Sequence, residues 1–362
     1  MNLQAATVGC GRMGALHTKT VSDHAPEFWM PISHLAAISK IEGIDPVACC
    51  DVLEESRLRA KKQFSVARDY ADALEMLSKE KLDILTIATR TPEKPSLIQA
   101  AIDAGVRAIH VEKPLCNSVN ELMVLSEKIQ SSNVLFTFGC LRRYLPPYKF
   151  ARRYAKAKEF GNLVDVHIEM GNAPLMWGLV HGLDQLLYFC HPAKPMYVNA
   201  WFEELEKEKG SDFTIHNDPK FISAAIMFDN GISGRIGRTS GDSITISSNS
   251  SRIEVFGDGA QVFTSDTSKN GIYQTRYELD WKRSCEQIEY GGSAAPLQLL
   301  KTALEGCKTA RKTVNEATEA MLDSQNLIFD LLWSHLQDGR VVKSRHYPVE
   351  LEIKGVSHGR PA

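Results

Sequence analysis

The chain lacks most of the features that would take it out of bulk water or onto a polyanion. Its 362 residues contain no apolar run long enough to cross a bilayer as a helix. Lysine and arginine form no dense block and the formal net charge is -2, which argues against nucleic acid or a membrane surface as partners. The eight cysteines, at positions 10, 49, 50, 116, 140, 190, 285 and 307, form no C-x-x-C pair and no recurring spacing. They read as reduced, mostly buried thiols instead of a disulfide framework. The signatures H-E-x-x-H, G-x-S-x-G and the lysine-containing P-loop are missing, so no metal, serine nucleophile or NTPase loop is expected. The N-terminus enters a strand and a glycine turn at once, so no signal peptide is expected. The expectation is a cytoplasmic protein that handles small molecules.

What is present suffices for two hydrophobic cores, with 43% hydrophobic and 24% charged residues. The first third alternates strand-like and helix-like segments. Strands are expected at Ala5–Val8, Pro46–Cys50, Ile84–Ala88, Ala108–Val111 and Val134–Phe138. Between them lie a helix starting at Met13–Val21, a charged amphipathic helix over Glu54–Phe64, and helices at Ala71–Lys79, Pro95–Ala104 and Val119–Gln130. Gly105 is placed to close one of these. The strands read as apolar throughout, the pattern of a parallel, doubly wound α/β sheet. One segment, Ser22–His34, interrupts the first crossover with Pro26, Phe28, Trp29, Met30 and Pro31. Two readings fit it: an insertion packed on the surface or a neighbouring subunit, and a lip over the cofactor or substrate.

After Gly139 the pattern changes, and the boundary is set there: residues 1–138 form a Rossmann domain and residues 139–362 an α+β domain. A long strand over Asn162–Met170 and a helix over Leu179–Cys190 precede strands at Met196–Phe202, Lys220–Phe228, Gly234–Thr239, Ser243–Ser247 and Ile253–Gly257. Asp229-Asn230-Gly231 and Gly257-Asp258-Gly259 are hairpin signals, so this sheet is expected to be open and largely antiparallel. Helices over Pro296–Gly306 and Val314–Leu336 follow, with Asp338-Gly339 closing the last.

The chemistry concentrates in a few short runs. Gly9-Cys10-Gly11-Arg12-Met13-Gly14 follows the first strand. Gly9 permits a tight bend, Gly11 lets a pyrophosphate approach the backbone, and Gly14 allows close packing. Asp51 ends the second strand, where a carboxylate accepts from ribose hydroxyls and repels a 2′-phosphate; capping the next helix is its plainer role. Val52 and Leu53 offer no arginine for NADP, although Arg57 lies one turn on, so NAD is favoured over NADP. Thr89-Arg90-Thr91-Pro92 follows the strand at Ile84–Ala88 and either lines the cofactor crevice or forms an ordinary turn. Glu112-Lys113-Pro114 follows the strand at Ala108–Val111. An ammonium there stabilises a developing alkoxide; an ion pair with Glu112 is the structural alternative for Lys113. His17 and His110 read as structural.

These runs, in this order, together with Gly139-Cys140-Leu141-Arg142-Arg143-Tyr144, resemble the Gfo/Idh/MocA family, named after glucose–fructose oxidoreductase and inositol 2-dehydrogenase. The order of the matches and the two-domain plan cover nearly the whole chain. The resemblance implies a homodimer or homotetramer assembled through the second domain's sheet, and a substrate of the sugar, nucleotide-sugar or cyclitol kind. It assigns the cofactor to Gly9, Gly11, Arg12, Met13, Gly14, Asp51, Thr89, Arg90, Pro92, Glu112, Lys113 and Arg142. Lys113, Arg143, Tyr144, Trp177, His181 and Asp184 fall to the substrate, with Lys113 and His181 catalytic. The family's D-x-x-x-H-x-x-D pattern matches Trp177 to Asp184, with an indole replacing the leading aspartate; an indole stacks but cannot accept a hydroxyl hydrogen bond. The histidine common after the family's T-P turn is also absent, Ser96 being nearest. Hydride transfer between NAD(P) and a secondary hydroxyl or ketone is the activity this implies. A non-catalytic, dinucleotide-sensing regulator and an NAD-dependent glycosidase are the rivals within the same family.

Overall fold

The computed structural model describes residues 2–16, 23, 25–266, 275–284 and 290–355. Contacts divide these into two compact units, one ending at Leu141 and resumed up to Leu322, the other starting at Arg142 and resumed from Asp323.

The first unit alternates strand and helix as expected: β1 (Leu3–Val8), α1 (His34–Lys40), β2 (Ile44–Cys50), α2 (Glu54–Gln63), β3 (Arg68–Tyr70), α3 (Ala73–Lys79), β4 (Ile84–Ile87), α4 (Lys94–Asp103), β5 (Ala108–Val111), α5 (Val119–Ser131) and β6 (Leu135–Phe138). The sheet order is β3-β2-β1-β4-β5-β6, and every pairing is parallel. Every residue of β4, β5 and β6 is buried, because helices cover both faces of such a sheet and leave no polar side. The order reverses between β1 and β4, which opens a crevice at the carboxyl ends of the strands. Local chemistry sets the helix ends. Asp72 caps α3 by accepting from the Glu75 N–H at 2.7 Å, Ser118 and Glu121 form a capping box on α5, and Gly105 takes φ +79° after α4. The helix expected to be amphipathic, α2, buries only Ala60. Ion pairs from Arg57 (3.1 Å) and Lys61 (2.8 Å) to Asp69 tie it down instead.

The glycine turn shows why three glycines are spaced as they are. Gly9 has φ +89°, and a Cβ there would meet the Ala88 carbonyl carbon at 2.7 Å. A Cβ on Gly14 would lie 1.6 Å from the Gly9 carbonyl oxygen, whereas one on Gly11 would meet nothing within 4 Å. The helix expected from Met13 to Val21 falls mostly outside the described residues, as does His17; residues 12–15 form a turn. The crossover is completed by α1, whose His34 and Leu35 N–H groups donate to the Met13 and Gly14 carbonyls at 2.8 and 2.9 Å.

The second unit is built on one face of a sheet. Helix α6 (Pro146–Ala155), which the sequence patterning did not suggest, leads into β7 (Leu163–Met170) and α7 (Val180–Cys190). The strands continue with β8 (Pro195–Phe202), β9 (Thr214–Ile215), β10 (Phe221–Phe228), β11 (Ser233–Arg238), β12 (Ser243–Ser248), β13 (Ser251–Phe256), β14 (Gln261–Asp266), β15 (Thr275–Glu278) and β16 (Val342–Lys343). Among the described residues the main sheet runs β15-β14-β13-β12-β7-β11-β10-β8-β16. It is antiparallel except where β11 pairs with β7. Asp229-Asn230-Gly231 makes the β10–β11 hairpin with Gly231 at φ +83°. Here strands alternate: β10 buries Ala224, Ile226 and Phe228 while Met227 is exposed, and β8 buries Val198, Ala200 and Phe202 while Tyr197 and Trp201 are exposed. The inner face receives α7, where a Cβ on Gly182 would meet Met170 Sδ at 2.7 Å.

Helices α8 (Ala294–Leu304) and α9 (Lys308–Leu336) correct the domain boundary set at residue 139. Ala294, Leu297, Leu300 and Ala303 of α8 share a core with Ala5, Leu35, Ile38 and Ile41, so this part of the chain returns to the first unit. The segment just before it also holds the insertion. The Gly292 and Ser293 N–H groups donate to the Phe28 and Pro31 carbonyls at 3.2 and 2.8 Å. Glu27–Trp29 forms a 3-10 turn with no buried residue. Substituting Gly14→Ala drives a methyl into a backbone oxygen and is expected to cost about 1–3 kcal/mol or more, read as a lower thermal midpoint. Gly11→Ala should leave that midpoint at the wild-type value; equal midpoints for the two variants would contradict the packing.

Candidate active site

In a parallel sheet the carboxyl ends of all strands lie along one edge, so Gly9, Asp51, Ala88, Glu112 and Gly139 leave the first unit's sheet on the same side. Asp51 braces the glycine turn. One carboxylate oxygen accepts from the Cys10 N–H at 2.7 Å and the other from the Leu53 N–H at 2.8 Å. Val52 and Leu53 beside it are exposed. Arg12 and Met13 are half-buried in the turn. After β4, Thr89 and Arg90 lead into a 3-10 turn at Thr91–Glu93 with Pro92 near its start, and Thr91 is buried.

The stretch after β5 brings several titratable groups together. Glu112 is buried, Lys113 is half-buried and Pro114 is buried. Glu112 does not depend on Lys113 for a partner, because Nε2 of the fully buried His34 donates to its Oε1 at 3.2 Å. Burial alone would raise this carboxyl. The hydrogen bond from His34 and the nearby charges, that of Lys113 among them, outweigh it and bring Glu112 down to about 2. His110 lies two residues before it on the same face of the strand. Its ring meets that of His34 edge to face at 4.8 Å, and its Nδ1 pairs with Thr137 Oγ1 at 2.9 Å. Burial pushes His110 down to about 3, so it is neutral in the folded protein. The donor atoms of His34, His110 and Glu112 lie within 4.8 Å of one another. The Glu112 carboxylate already faces His34 and Lys113, so an added cation would meet like charge. Gly139 exists for this carboxylate: a Cβ there would meet Glu112 Oε2 at 2.6 Å.

Sequence reading passed over Lys94. This first residue of α4 is 1% exposed, and its ammonium donates to the Pro114 carbonyl at 2.8 Å. Burial lowers it to about 7, against the pull of Glu112. It anchors the backbone just after Lys113 from inside the core. The only signal in the sequence is a lysine directly after a Thr-Pro turn, and nothing in that spacing announces burial.

In the second unit the candidate residues divide. Arg143 and Asp184 meet each other: Nε donates to the two carboxylate oxygens at 3.0 and 2.9 Å and Nη2 to one of them at 2.7 Å, with both side chains buried. Burial pushes the Asp184 carboxyl up even with Arg143 against it. Arg142 pairs with Asp242 at 2.6 Å and Asp258 at 3.6 Å. Tyr144 is buried. These charged groups hold the unit together, as an ion-paired hinge would. His181 stands apart. Every residue of α7 except His181 is buried, although the helix is apolar enough to be covered all round. It is preceded by a π-helical turn, Leu175–Leu179, whose Met176 and Trp177 N–H groups donate to the Asp218 carboxylate at 2.7 and 3.1 Å. Trp177 is half-buried.

The buried titratable groups set a pH dependence. The unfolded His110 imidazole takes a proton near its ordinary 6.5 and the folded one only near 3, so stability falls as pH drops through that window. Glu112 adds a loss on the order of 3 kcal/mol between its ordinary 4.5 and about 2. Urea midpoints measured from pH 7 to 4 should fall steadily for the wild type and be flatter above pH 4.5 for His110→Gln. An identical slope in both would refute the assignment.

Residues 3–140 match the profile described as oxidoreductase family, NAD-binding Rossmann fold. The chain is 27% identical over 159 residues to scyllo-inositol 2-dehydrogenase (NAD(+)) of Bacillus subtilis, covering 44% of this chain and 42% of that protein. It is 47% identical over 83 residues to D-apiose dehydrogenase of Paraburkholderia graminis, covering 23% of this chain and 22% of the relative. The chain thus spans less than half the length of these two curated relatives. A solved inositol dehydrogenase homologue of Azotobacter vinelandii, complexed with NADH and myo-inositol, superposes with a TM-score of 0.69 at 14% identity, over 95% of this chain and 98% of that one. That likeness shows the fold. Over residues 3–140, most of the first unit, the chain is thus similar to the Gfo/Idh/MocA oxidoreductases, whose profile describes an NAD-binding Rossmann fold.

Proposed function

We propose that the protein is an NAD-dependent dehydrogenase acting on a secondary hydroxyl or ketone of a sugar-like or cyclitol-like substrate. The observation that carries this reading is the sharing of one sheet edge by the glycine turn and Lys113. The residues fit a dinucleotide. Gly11 presents open backbone where a side chain would block a pyrophosphate. The Asp51 carboxylate stands where ribose hydroxyls would donate, and the exposed Val52 and Leu53 offer apolar surface to an adenine. Bound there, the nicotinamide supplies a hydride acceptor or donor. The half-buried Lys113 ammonium stabilises the oxygen as it gains negative charge, and His181 takes or returns the hydroxyl proton. Arg143 and Asp184, committed to each other, position the N-terminal part of α7 instead of binding substrate. The relatives' names, an inositol and an apiose dehydrogenase, support a polyol substrate.

The purified protein should bind NADH, seen as a rise in nicotinamide fluorescence, and should reduce NAD with one of scyllo-inositol, myo-inositol or D-apiose. Lys113→Ala should keep NADH affinity and lose turnover by about 10²–10⁴-fold. Unchanged turnover in that variant would sink the mechanism. NADH binding with no turnover of any polyol would favour a dinucleotide-sensing regulator, and sugar release without net NADH would favour a glycosidase.

We propose further that the outer face of the second unit's sheet joins copies of the chain. Tyr197, Trp201 and Met227 are 44–45% exposed there and lie on paired strands, with Met227 opposite Tyr197. A face this apolar is more often covered than wetted. Sedimentation velocity should show a dimer or larger species, shifted toward monomer by Met227→Lys. A monomeric wild type would overturn the assembly.

A further inference from the structure

Helix α4 opens on a residue that is unfavourably placed in two ways. Lys94 is its first residue, so a cation stands at the positive end of the helix dipole. It is also 1% exposed, and an ammonium taken out of water loses its hydration. A methionine has nearly the same length and would avoid both penalties. What the lysine has and methionine lacks is an N–H donor, and that donor is in use. Nζ donates to the Pro114 carbonyl at 2.8 Å.

This carbonyl lies where the chain leaves the first unit's sheet. The Glu112 N–H still donates to the Ile87 carbonyl at 2.9 Å, continuing the ladder between β5 and β4. Further on, the Asn117 and Ser118 N–H groups donate to the Glu121 carboxylate at 2.9 and 3.1 Å. Pro114 between them has no N–H of its own, and its carbonyl is held from inside the core. Lys113 precedes that held peptide directly, so a shift of Pro114 re-aims the Lys113 side chain.

Burial is the largest influence on the Lys94 amine and brings it down to about 7. Glu112 pulls the other way and Lys113 pushes with it; Cys116 and Glu93 are the further titratable groups that act on it. An amine that has shed its proton still carries N–H bonds. The hold on Pro114 therefore survives on both sides of neutrality, while the charge does not.

We propose that Lys94 is a positioning residue for Lys113: its grip on the Pro114 carbonyl sets the direction in which Lys113 leaves β5, and the rate of hydride transfer depends on that grip. This deepens the dehydrogenase reading and rests on it.

Steady-state kinetics compare Lys94→Met, Lys113→Ala and the double variant with the wild type, using NAD and whichever of scyllo-inositol, myo-inositol or D-apiose the wild type turns over. Lys94→Met should lose kcat by about ten- to a hundredfold, the effect of a displacement of about 1 Å, with KM and NADH affinity within about twofold of wild type. In the Lys113→Ala background the same substitution should change kcat by less than about twofold, because a residue that acts through Lys113 has nothing left to act on. A merely structural residue would lower kcat alike in both backgrounds, and that outcome overturns the proposal. So does a wild-type kcat in Lys94→Met, while leaving the dehydrogenase reading intact. If Lys94→Met does not fold, Lys94→Gln, whose donor sits on a shorter chain, takes its place with the same expectations. Failure of both to fold makes Lys94 a folding requirement and ends the proposal.

Urea midpoints give an independent reading. Between about 7 and the ordinary 10.5 the unfolded chain holds a proton that the folded one has shed, so wild-type stability should rise with pH relative to Lys94→Met. Parallel curves would put the amine in water and contradict the proposed grip. Turnover untouched by Lys113→Ala, or NADH binding with no turnover of any polyol, refutes the dehydrogenase reading and this proposal with it.

Discussion

The carboxylate of Glu112 is the charge around which the interior of the first unit is arranged. A buried carboxylate with no partner is costly, and here the chain brings His34 from another element to meet it at 3.2 Å. The requirement propagates outward. The residue facing the carboxylate from the end of β6 has to be Gly139, because a side chain would occupy the same space. His110, two positions earlier on β5, stays neutral under the shared burial. Lys94 secures the Pro114 carbonyl from the other side. The half-buried Lys113 therefore projects from a backbone held at both neighbours, without any need for a ligand to order it.

The second unit solves a different problem. Its sheet has one covered and one uncovered face, so its strands alternate where those of the first unit do not. Inside the covered face the chain buries an arginine and an aspartate together, Arg143 and Asp184. Such a pair adds little to stability against an apolar alternative, but breaking it by removing one partner is expensive. Its effect is to lock α7 in one orientation, and the one residue of that helix left half-open is His181. The polar interior thus serves to present a single imidazole.

Much of this was legible beforehand where the physical cause is local. The turn at Gly9 was readable because a positive φ and two close backbone approaches leave glycine as the residue that fits. The strands β4, β5 and β6 were readable because burial on both faces writes an unbroken apolar run. Asp51 was readable as an acidic strand end, although its bracing of the Cys10 N–H was not. Lys94 was missed, because a lysine opening a helix ordinarily points to solvent and its burial depends on β5 being overhead. Arg143 and Asp184 were both read as facing substrate, because a charged side chain near a junction looks the same whether its partner is a ligand or an aspartate further along the chain. Helix α8 was assigned to the wrong unit, since an apolar stripe states that a helix is covered and not by what.

By itself the sequence determined the glycine turn, most strands and helices of the first unit, and that the first sheet is parallel with a glycine cradle at its edge. Those properties follow from backbone sterics and side-chain periodicity within a few residues. Only the tertiary structure decided which charges meet. His34 and Glu112 are 78 residues apart and Arg143 and Asp184 are 41 apart, and Coulomb attraction acts through space with no trace in local spacing. Lys113 was named by its neighbours in the chain; what holds it in place was named by the fold.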